Sequence, residues 1–464
     1  MNDRNIHTIS NGEETPHMTQ VYDVIVIGSG PAGLFAALTL EHLGVDTIAV
    51  VDRTRYTAGG LLNDGKLNLD SRIGFDLDDL ALDHESIDRL INRVKCVFTA
   101  FDACRQVTFP SDQRVTSWQH IARERDVEFI APEQWHWGTD NGKKVVDYLR
   151  NLLVKTTFYL ETEVTGIEPD DQSLTISCTG PRGEKRLTGH TLLCAPGRQG
   201  AYWFRRVANE IGIDNSFGPI DVGIRIELNR RFFDPVTDVV YDPKFIIKTK
   251  RHRDRVRTFC TNPGGRVRFE HYGDFKLING DALAGRKTEN TNFALLNTVR
   301  LTQPFSDSTL FGHMIAKQFH LLGGGTPIVQ RVGDFREGSR SRTETFNSTT
   351  RHFNLCTPTC AAVPGDISLG IPARIIDNLW ESLKTLDKIV PGILHPSTLM
   401  YAPEIKFFDT HFHTDKHLET NIPRIFVAGD GVGKSRGIVG SAVTGIIAAE
   451  GIARKYGSHE KNRR

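Results

Sequence analysis

The chain has 464 residues, and 57 Lys and Arg residues against 56 Asp and Glu residues give a formal net charge of +1. This balance argues against a large polyanion as a partner, and the hydrophobic fraction of 39% excludes collagen-like, low-complexity and wholly disordered chains. At roughly 150 residues per domain, the length predicts about two or three domains, each with its own core. We therefore expect a globular, multidomain enzyme.

The two ends of the chain predict disordered or polar tails, at residues 1–20 and 457–464. The first has neither an apolar signal core nor an Arg-rich amphipathic pattern. The longest apolar run, 438–453, is interrupted by Ser441 and Glu450 and falls short of the roughly 20 residues that cross a bilayer. The seven cysteines are odd in number and lack a CxxC spacing. We expect a cytoplasmic protein with no membrane span, no disulfide framework and no metal site.

The first strand is predicted at Val21–Ile27, an apolar run with only Asp23 inside it, and GSGPAG follows it directly. After Pro31, apolar positions predict a helix that stops at Gly44, and residues 45–51 predict a second strand. Strand, helix and strand form one βαβ unit. Such a unit with a glycine-rich first turn is typical of dinucleotide-binding domains.

Three glycines in this turn have separate physical roles. Gly28 allows the tight turn, Gly30 lets a diphosphate approach the backbone, and Gly33 lets helix and strand pack closely. The helix N-terminus supplies free N–H groups to the phosphates. Asp52 ends the second strand, 19 residues after Gly33, and is placed there to accept ribose hydroxyls. The pattern predicts a bound dinucleotide.

A strand, a Gly-Asp turn and a helix near the C-terminus favour FAD over NAD as that dinucleotide. Residues 424–428 predict the strand, Gly429 and Asp430 the turn, and residues 438–453 the helix. The helix N-terminus would direct its partial positive charge at the N1 and O2 edge of the flavin, where negative charge appears on reduction. The turn LLCAPGRQG at 192–200 would pass under the cofactor. The predicted cofactor-binding residues are Gly28, Gly30, Pro31, Ala32, Gly33, Asp52, Arg53, Lys66, Val164, Ala195, Pro196, Gly197, Gly429, Asp430, Arg436, Gly437 and Ile438.

The C-terminal turn also carries a competing pattern. AGDGVGKS at 428–435 nearly matches GxxxxGK[ST], so a phosphate-binding loop would hold a nucleoside triphosphate through Lys434. Against this, Asp430 would direct a carboxylate at the phosphates, and no strand with a Mg²⁺-binding acid follows the helix. Lys434 and Arg436 could instead add positive charge beside the flavin.

Over most of its length the chain resembles the FAD-dependent dehydrogenase-like flavoproteins of bacteria. The resemblance is carried by GSGPAGLFAAL at 28, GGLLNDGKLNL at 59, CAPGRQGAYWF at 194, GPIDVGIRIE at 218 and RIFVAGDGVGKSRGIVG at 424. It implies an α/β fold: a Rossmann-like FAD-binding domain of the glutathione-reductase type with an inserted mixed or antiparallel β substrate domain.

The domain boundaries follow from that architecture. Residues 220–228 alternate apolar and polar side chains, which predicts a half-buried strand of the substrate domain. The predicted division is a discontinuous FAD-binding domain at 21–75, 125–205 and 400–456, a helical insertion or lid at 76–124, and a substrate domain at 206–399.

The sequence lacks several motifs of related flavoprotein families, which argues against the reactions that those motifs carry out. The segment RYTAGGLLNDG at 55–65 lacks the CxxxxC pair of disulfide reductases, which argues against thiol–disulfide exchange. No second GxGxxG follows a strand, so any NAD(P)H would bind transiently as an electron donor or not at all. The run GDGVGKSRG lacks the Ala-x-His and proline that follow the Gly-Asp turn of aromatic hydroxylases.

We therefore expect an FAD-dependent oxidoreductase, a dehydrogenase or reductase, that transfers a hydride between a small organic substrate and the flavin N5. The alternatives are an FAD-dependent monooxygenase using NAD(P)H and oxygen, or a flavoprotein acting in RNA modification. The basic segment KTKRHRDRVR at 248–257 would support RNA, but it has no interleaved aromatic residues, so we expect a solvated hairpin and no nucleic acid. The oligomeric state stays open.

The predicted catalytic residues are Lys66, Cys260 and Asn262. Lys66 follows Asp64 in a glycine-flanked loop, where it could contact N5 or hold a substrate anion. Cys260 lies at a predicted strand end, two residues before Asn262. His136 precedes a predicted helix and is expected to be a capping or packing residue.

Overall fold

The fold is described by a computed structural model for residues 20–56, 60–347, 354–407 and 410–457. The predicted tails therefore lie outside the described residues, apart from Gln20 and Gly457.

Strands and helices alternate irregularly along the chain. The strands are β1 Val21–Ile27, β2 Ile48–Val51, β3 Lys66–Leu69, β4 Arg105–Thr108, β5 Val127–Ile130, β6 Glu133–His136, β7 Thr156–Tyr159, β8 Glu163–Pro169, β9 Leu174–Gly180, β10 Gly183–Cys194, β11 Asn215–Phe217, β12 Ile220–Asn229, β13 Lys244–Lys248, β14 Arg255–Asn262, β15 Arg266–Tyr272, β16 Phe275–Asp281, β17 Asn290–Val299, β18 Ile328–Arg331, β19 Val363–Pro364, β20 Leu399–Lys406, β21 Thr410–Phe412 and β22 Ile425–Val427. The α-helices are α1 Pro31–His42, α2 Gly60–Asn63, α3 Leu77–Leu80, α4 His84–Thr99, α5 Gln113–Arg123, α6 Gly142–Asn151, α7 Gly197–Ile211, α8 Asp234–Thr237, α9 Ser308–Leu322, α10 Val332–Arg336, α11 Thr343–Asn347, α12 Ala373–Asp387 and α13 Gly437–Tyr456.

The first sheet has a parallel part and an antiparallel part. Strands β7, β2, β1, β10 and β22 are parallel and adjacent in that order. β10 is long enough to pair also with β9, which pairs with β8, and both of these contacts are antiparallel. β1 and β2 are largely or wholly buried, as their continuous apolar sequences predict. The predicted α/β class with a Rossmann-like domain is confirmed.

Helices α1 and α13 pack against each other beside this sheet. A Cβ atom at Gly445 of α13 would lie 2.1 Å from the backbone oxygen of Ala32, so only glycine permits this close approach. α13 has 20 residues, more than the predicted 438–453, and is long and apolar enough to cross a membrane. However, 78% of its apolar window is buried inside the protein, which is the environment of a core helix.

The second sheet has eight strands in the order β19, β18, β20, β12, β17, β14, β13, β5. All described pairs except β18–β19 are antiparallel. Its edge strand β5 and its inner strand β20 come from ranges that the sequence assigned to the FAD-binding domain.

The prediction that 220–228 is half-buried is wrong. Every residue of β12 from Ile220 to Leu228 is buried, including Asp221, Arg225 and Glu227. Alternation normally indicates one solvent-exposed face, but here the polar face is buried too. Asp221 and Arg225 form ion pairs there with Arg257 and Glu404, and Glu227 accepts hydrogen bonds from Asn290, Thr359 and Tyr401. Arg225 donates to both carboxylate oxygens of Glu404 on β20, each at 2.7 Å.

The basic segment 248–257 packs against helix α12 through ion pairs. Arg251 lies 2.7 Å from Asp377, and Arg374 donates to Asp254 at 2.7 and 2.8 Å. Much of its positive charge is thus balanced by acids of the same chain.

Candidate functional site

Residues of both sheets line one cleft. We call the part lined by the turn after β1 and the ends of β2 and β8 the outer part. The inner part is the one lined by the starts of α7 and α13, the loop with Asp64, and strands β14, β15, β16 and β20. The cleft and the solvent at its open mouth together take up about 1780 Å³.

Most of the predicted site residues lie on the cleft wall. Those that line it are Gly28, Gly30, Pro31, Ala32, Asp52, Arg53, Val164, Ala195, Pro196, Gly197, Cys260, Gly429, Asp430, Arg436, Gly437 and Ile438. Gly33, Lys66 and Asn262 lie behind the wall. Lys434 also lies behind it, so the structure gives no support for a phosphate-binding loop there.

Two glycines of the first turn cannot be replaced by larger residues without a steric clash. Gly28 has φ +99°, and a Cβ atom there would lie 2.2 Å from the backbone oxygen of Ala195. A Cβ atom at Gly33 would lie 1.9 Å from the backbone oxygen of Gly28. Helix α1 has Gly30 as its N-cap, without a side-chain cap, and Pro31 in its first turn. Its free N–H groups at the cleft can therefore bind a diphosphate.

Asp52 holds two turns together at the end of β2. Its Oδ2 atom accepts hydrogen bonds from the backbone N–H and the hydroxyl of Ser29, at 2.8 and 2.7 Å. Its Oδ1 atom accepts from the backbone N–H and the hydroxyl of Thr54, at 2.8 and 2.7 Å. Both oxygens are thus occupied by the chain itself, and a ribose hydroxyl would share or replace one of these bonds.

The C-terminal turn has a similar internal support. Asp430 accepts hydrogen bonds from Ser435 and Ser441 hydroxyls at 3.1 and 2.8 Å and from the Gly437 N–H at 3.1 Å. Helix α13 begins at Gly437 without a side-chain cap. A long helix whose first N–H groups face a cleft favours negative charge there.

Lys434 lies on the opposite side of this turn from the cleft. Its Nζ atom donates to both carboxylate oxygens of Asp79, at 2.9 and 3.0 Å. Burial lowers the pKa of Lys434, although the Asp79 charge acts in the opposite direction. Lys434 is therefore a structural cation in this fold.

The three predicted catalytic residues meet at the inner end of the cleft. Lys66 Nζ donates to the Sγ of Cys260 at 3.2 Å, to the backbone oxygen of Thr261 at 2.9 Å and to the Oδ1 of Asn262 at 3.2 Å. These contacts use all three ammonium protons. Burial alone would lower the pKa of Lys66, but the charge of Asp242 and smaller contributions from Cys260 and Asp64 raise it above its usual value.

Cys260 lies in an irregular part of β14. The pairing between β14 and β17 shifts register between Phe259 and Asn262, so the intervening residues form a bulge. Cys260 has φ +49°, in the left-handed region that favours glycine. The bulge places Cys260 on the cleft wall, and its carbonyl accepts from Arg225 at 3.2 Å and from Asn262 at 2.9 Å.

Two residues that the sequence did not indicate complete this cluster. Asp242 and Lys244 are buried, with Lys244 Nζ 2.5 Å from an Asp242 oxygen. Asp242 also accepts from the Thr261 N–H at 2.8 Å and lies 3.6 Å from Lys66 Nζ. Burial would raise the pKa of Asp242, but Lys244 and Lys66 lower it to about 2. Asp242 lies just before β13 and Lys244 begins it, and no pattern in the sequence indicates that these two charged residues are buried together.

Other cleft residues were also missed. All but one of them lie on strands of the substrate-side sheets, and the other lies in the turn at 192–200. No local sequence pattern predicts that they line a cleft. They are Arg198, Arg257, Phe259, Glu270, Asn279 and Lys406.

His136 is a packing residue, as expected, although it ends strand β6. Its ring nitrogens lie 3.3 Å from the Asp64 carbonyl and 3.3 Å from the Tyr241 hydroxyl. Burial and the nearby Lys66 charge lower the pKa of His136 to about 3, so the ring is neutral. His136 therefore supports the loop of Asp64 from behind the cleft.

The cleft fits FAD. Its outer part has a glycine cradle that a Cβ atom would fill, with helix N–H groups facing it. Its inner part includes a second helix N-terminus, at the start of α13, and strands of the substrate-side sheet. Together these features suit the ribose, diphosphate and ring system of an extended dinucleotide.

Comparisons with known proteins agree with this fit. Residues 22–210 match the family model of the pyridine nucleotide-disulphide oxidoreductases, and residues 219–406 match that of the FAD-dependent protein, C-terminal domain-like family. A protein of Clostridium beijerinckii is 25% identical, over 98% of this chain and 84% of its own length.

Solved structures of flavoproteins are also similar, at low identity. A p-nitrophenol 4-monooxygenase from Pseudomonas putida is 13% identical with a TM-score of 0.41, over 96% of this chain and 83% of that one. A glycine oxidase from Geobacillus kaustophilus is 13% identical with a TM-score of 0.42, over 94% of this chain and 96% of that one.

Proposed function

Because the chain belongs to the FAD-dependent flavoproteins and has FAD as its cofactor, we propose that it is a dehydrogenase or reductase that transfers a hydride between a small organic substrate and the N5 atom of FAD. The family supports an FAD-dependent oxidoreductase. The direction of transfer and the kind of substrate belong to the proposal.

The observation that carries the proposal is the polar cluster at the inner end of the cleft. Cys260, Asp64 and Glu270 line the cleft there, and Lys66 lies directly behind Cys260. Bound FAD supplies a two-electron acceptor or donor at N5. The protein then needs to hold the reacting carbon in place and to move one proton, and this end of the cleft offers groups for both tasks.

The proposal assigns a role to several groups in and behind the cleft wall. The Gly28 turn and the start of α1 would hold the diphosphate of FAD, and the start of α13 would stabilise negative charge on its ring system. Lys66 orients Cys260 and Asn262. Phe259 lies between Arg257 and Lys406, whose charges are 4.7 and 5.8 Å from its ring centre, and its ring helps to exclude water.

An anaerobic titration tests the proposal. The purified protein is saturated with FAD, and its visible spectrum is followed as NADH, NADPH and then a panel of small alcohols, amines, acids and enones are added. We expect bleaching by at least one organic donor, or by a nicotinamide with reoxidation by an organic acceptor. Bleaching by a nicotinamide with reoxidation by oxygen and hydroxylation of an added aromatic compound would favour a monooxygenase instead.

A further inference from the structure

Most carboxylates that line the cleft are already hydrogen-bonded by the chain. Asp52 accepts four hydrogen bonds and Asp430 accepts three. Glu270 accepts from the Asn279 amide at 2.9 Å and from the Tyr272 hydroxyl at 3.3 Å. These carboxylates maintain the shape of the cleft.

Asp64 differs from them. In the described part of the chain, its closest polar side-chain contacts are Lys66 Nζ at 3.7 Å and Cys260 Sγ at 4.0 Å. Its side chain is 33% exposed, on the wall of the inner cleft. Asp64 is thus a carboxylate with hydrogen-bonding capacity left for a ligand.

Arg198 is the corresponding cation. Of the other cleft cations, Arg53, Arg257 and Lys406 bind Gln199, Asp221 and Glu404, respectively, and Arg436 also has a partner within the protein. Within residues 20–56, 60–347, 354–407 and 410–457, the Arg198 guanidinium has no hydrogen bond and no ion pair within 4.0 Å. Five N–H donors of a planar, permanently charged group are therefore available to a ligand.

Arg198 and Asp64 both line the same cleft. Burial would lower the pKa of Arg198, but Glu270, with smaller contributions from Asp430 and Asp64, raises it above its usual value. A single small molecule in the inner cleft can thus meet both a guanidinium and a carboxylate.

We propose that the substrate is an organic acid with a hydroxyl or amino group on the carbon that is oxidised, bound through its carboxylate by Arg198 and deprotonated at that group by Asp64. This inference rests on the proposed function and adds the substrate class. A carboxylate matches the forked geometry of a guanidinium, and a neutral substrate would leave that charge unused.

Oxidation of a hydroxy acid breaks one C–H bond and one O–H bond. The C–H bond breaks and its electron pair passes with the hydrogen to the cofactor's N5. The O–H bond breaks and its proton passes to the Asp64 carboxylate, so the C–O single bond becomes C=O. For an amino acid the N–H proton takes the same route and an imine forms. In the reverse direction Asp64 donates the proton.

Binding tests the role of Arg198 without turnover. Calorimetric titrations of the FAD-loaded protein compare two carboxylates, acetate and benzoate, with their neutral amides, acetamide and benzamide. We expect at least one carboxylate to bind about tenfold or more tightly than its amide, and Arg198→Gln to remove this preference while FAD affinity stays within about twofold. Arg198→Lys, which keeps the charge, should retain part of it.

Arg206→Gln is the matched control, because Arg206 is exposed on the same helix and lies 3.8 Å from Glu210. It should leave both affinities unchanged. A fall in FAD affinity for Arg198→Gln, with carboxylate binding unchanged, would place the cofactor's diphosphate on Arg198 and overturn the assignment.

Single-turnover bleaching tests Asp64. With an acid that reduces the wild-type flavin, Asp64→Asn should slow bleaching about 10²- to 10⁴-fold while the dissociation constant of the better-binding carboxylate stays within about twofold. A merely structural role would weaken carboxylate binding as well. Asp171→Asn, in an exposed turn outside the cleft, serves as the control.

Failure of this inference differs from failure of the proposed function. If neutral alcohols or amines bleach the flavin as fast as the matching acids, and the carboxylates bind no better than the amides, the oxidoreductase stands and the acid substrate is wrong. If no organic compound or nicotinamide bleaches or reoxidises the flavin, both are wrong.

Discussion

Lys66 Nζ lies 3.2 Å from Cys260 Sγ, although the two residues are 194 positions apart in the chain. Lys66 begins β3 in the small sheet with β6 and β4, and Cys260 lies in the bulge of β14 in the eight-stranded sheet. The contact therefore joins the small sheet to the eight-stranded sheet directly behind the cleft wall.

Asp242 is the carboxylate shared by the two buried ammonium groups of Lys66 and Lys244. We predict that Asp242→Asn lowers the free energy of unfolding at pH 7 by about 3–5 kcal/mol, because it leaves two buried cations without their carboxylate. Chemical denaturation followed by tryptophan fluorescence measures the change. Asp238→Asn, at an exposed position, should change stability by less than about 0.5 kcal/mol.

The effect of Asp242→Asn on stability should depend on pH. An Asp carboxyl has a pKa of about 3.9 in an unfolded chain. In the folded protein Lys244 and Lys66 lower the pKa of Asp242 to about 2, against the effect of burial. The stability that ionised Asp242 contributes is thus present above about pH 4 and is lost as the pH falls towards 2. The difference between wild type and Asp242→Asn should shrink in that window. A difference that is constant from pH 7 to pH 2.5 would contradict this origin.

Cys260 adopts a left-handed backbone conformation, which permits a test of strain separately from chemistry. We predict that Cys260→Gly is more stable than Cys260→Ala by about 1 kcal/mol. At φ +49° a residue with a Cβ atom has steric strain, and glycine has none. Equal stabilities would show that the bulge relaxes. Both variants lack Sγ, so both should be impaired in flavin bleaching if the sulfur is catalytic.

Gly33 is predicted to be essential for cofactor binding because of space. Gly33→Ala places a Cβ atom 1.9 Å from the Gly28 backbone oxygen, so the diphosphate turn has to move. We expect FAD affinity to fall by at least about tenfold, which fluorescence titration with FAD measures. Helix propensity alone would predict that this change in α1 stabilises the protein. Gly166→Ala is the control, since nothing lies within 4 Å of its Cβ position.

Lys434 is predicted to act through stability and not through phosphate binding. Lys434→Met breaks the ion pair with Asp79 and should lower the free energy of unfolding by about 1–3 kcal/mol. FAD affinity should stay within about twofold, and the wild-type protein should not bind ATP at this turn. ATP binding that Lys434→Met abolishes would support the phosphate-loop alternative.

The sequence predicted those parts of the site that local chain geometry determines. The Gly28–Gly33 turn and the Gly429–Asp430 turn follow from short motifs next to apolar strands. Lys66, Cys260 and Asn262 could be named individually, but their mutual contact depends on the register of strands far apart in the chain. The pairing of Asp242 with Lys244 and the availability of Arg198 depend on burial, which sequence alternation does not report. For the same reason β12 was expected to be half-exposed.

The most direct test of the whole account is an experimental structure with FAD bound. We predict the diphosphate at Gly28–Gly33, the ring system near the start of α13, and the N5 edge facing the group formed by Asp64, Cys260 and Arg198. A ring system that lies outside the cleft, or that turns its N5 edge away from these residues, would contradict the account.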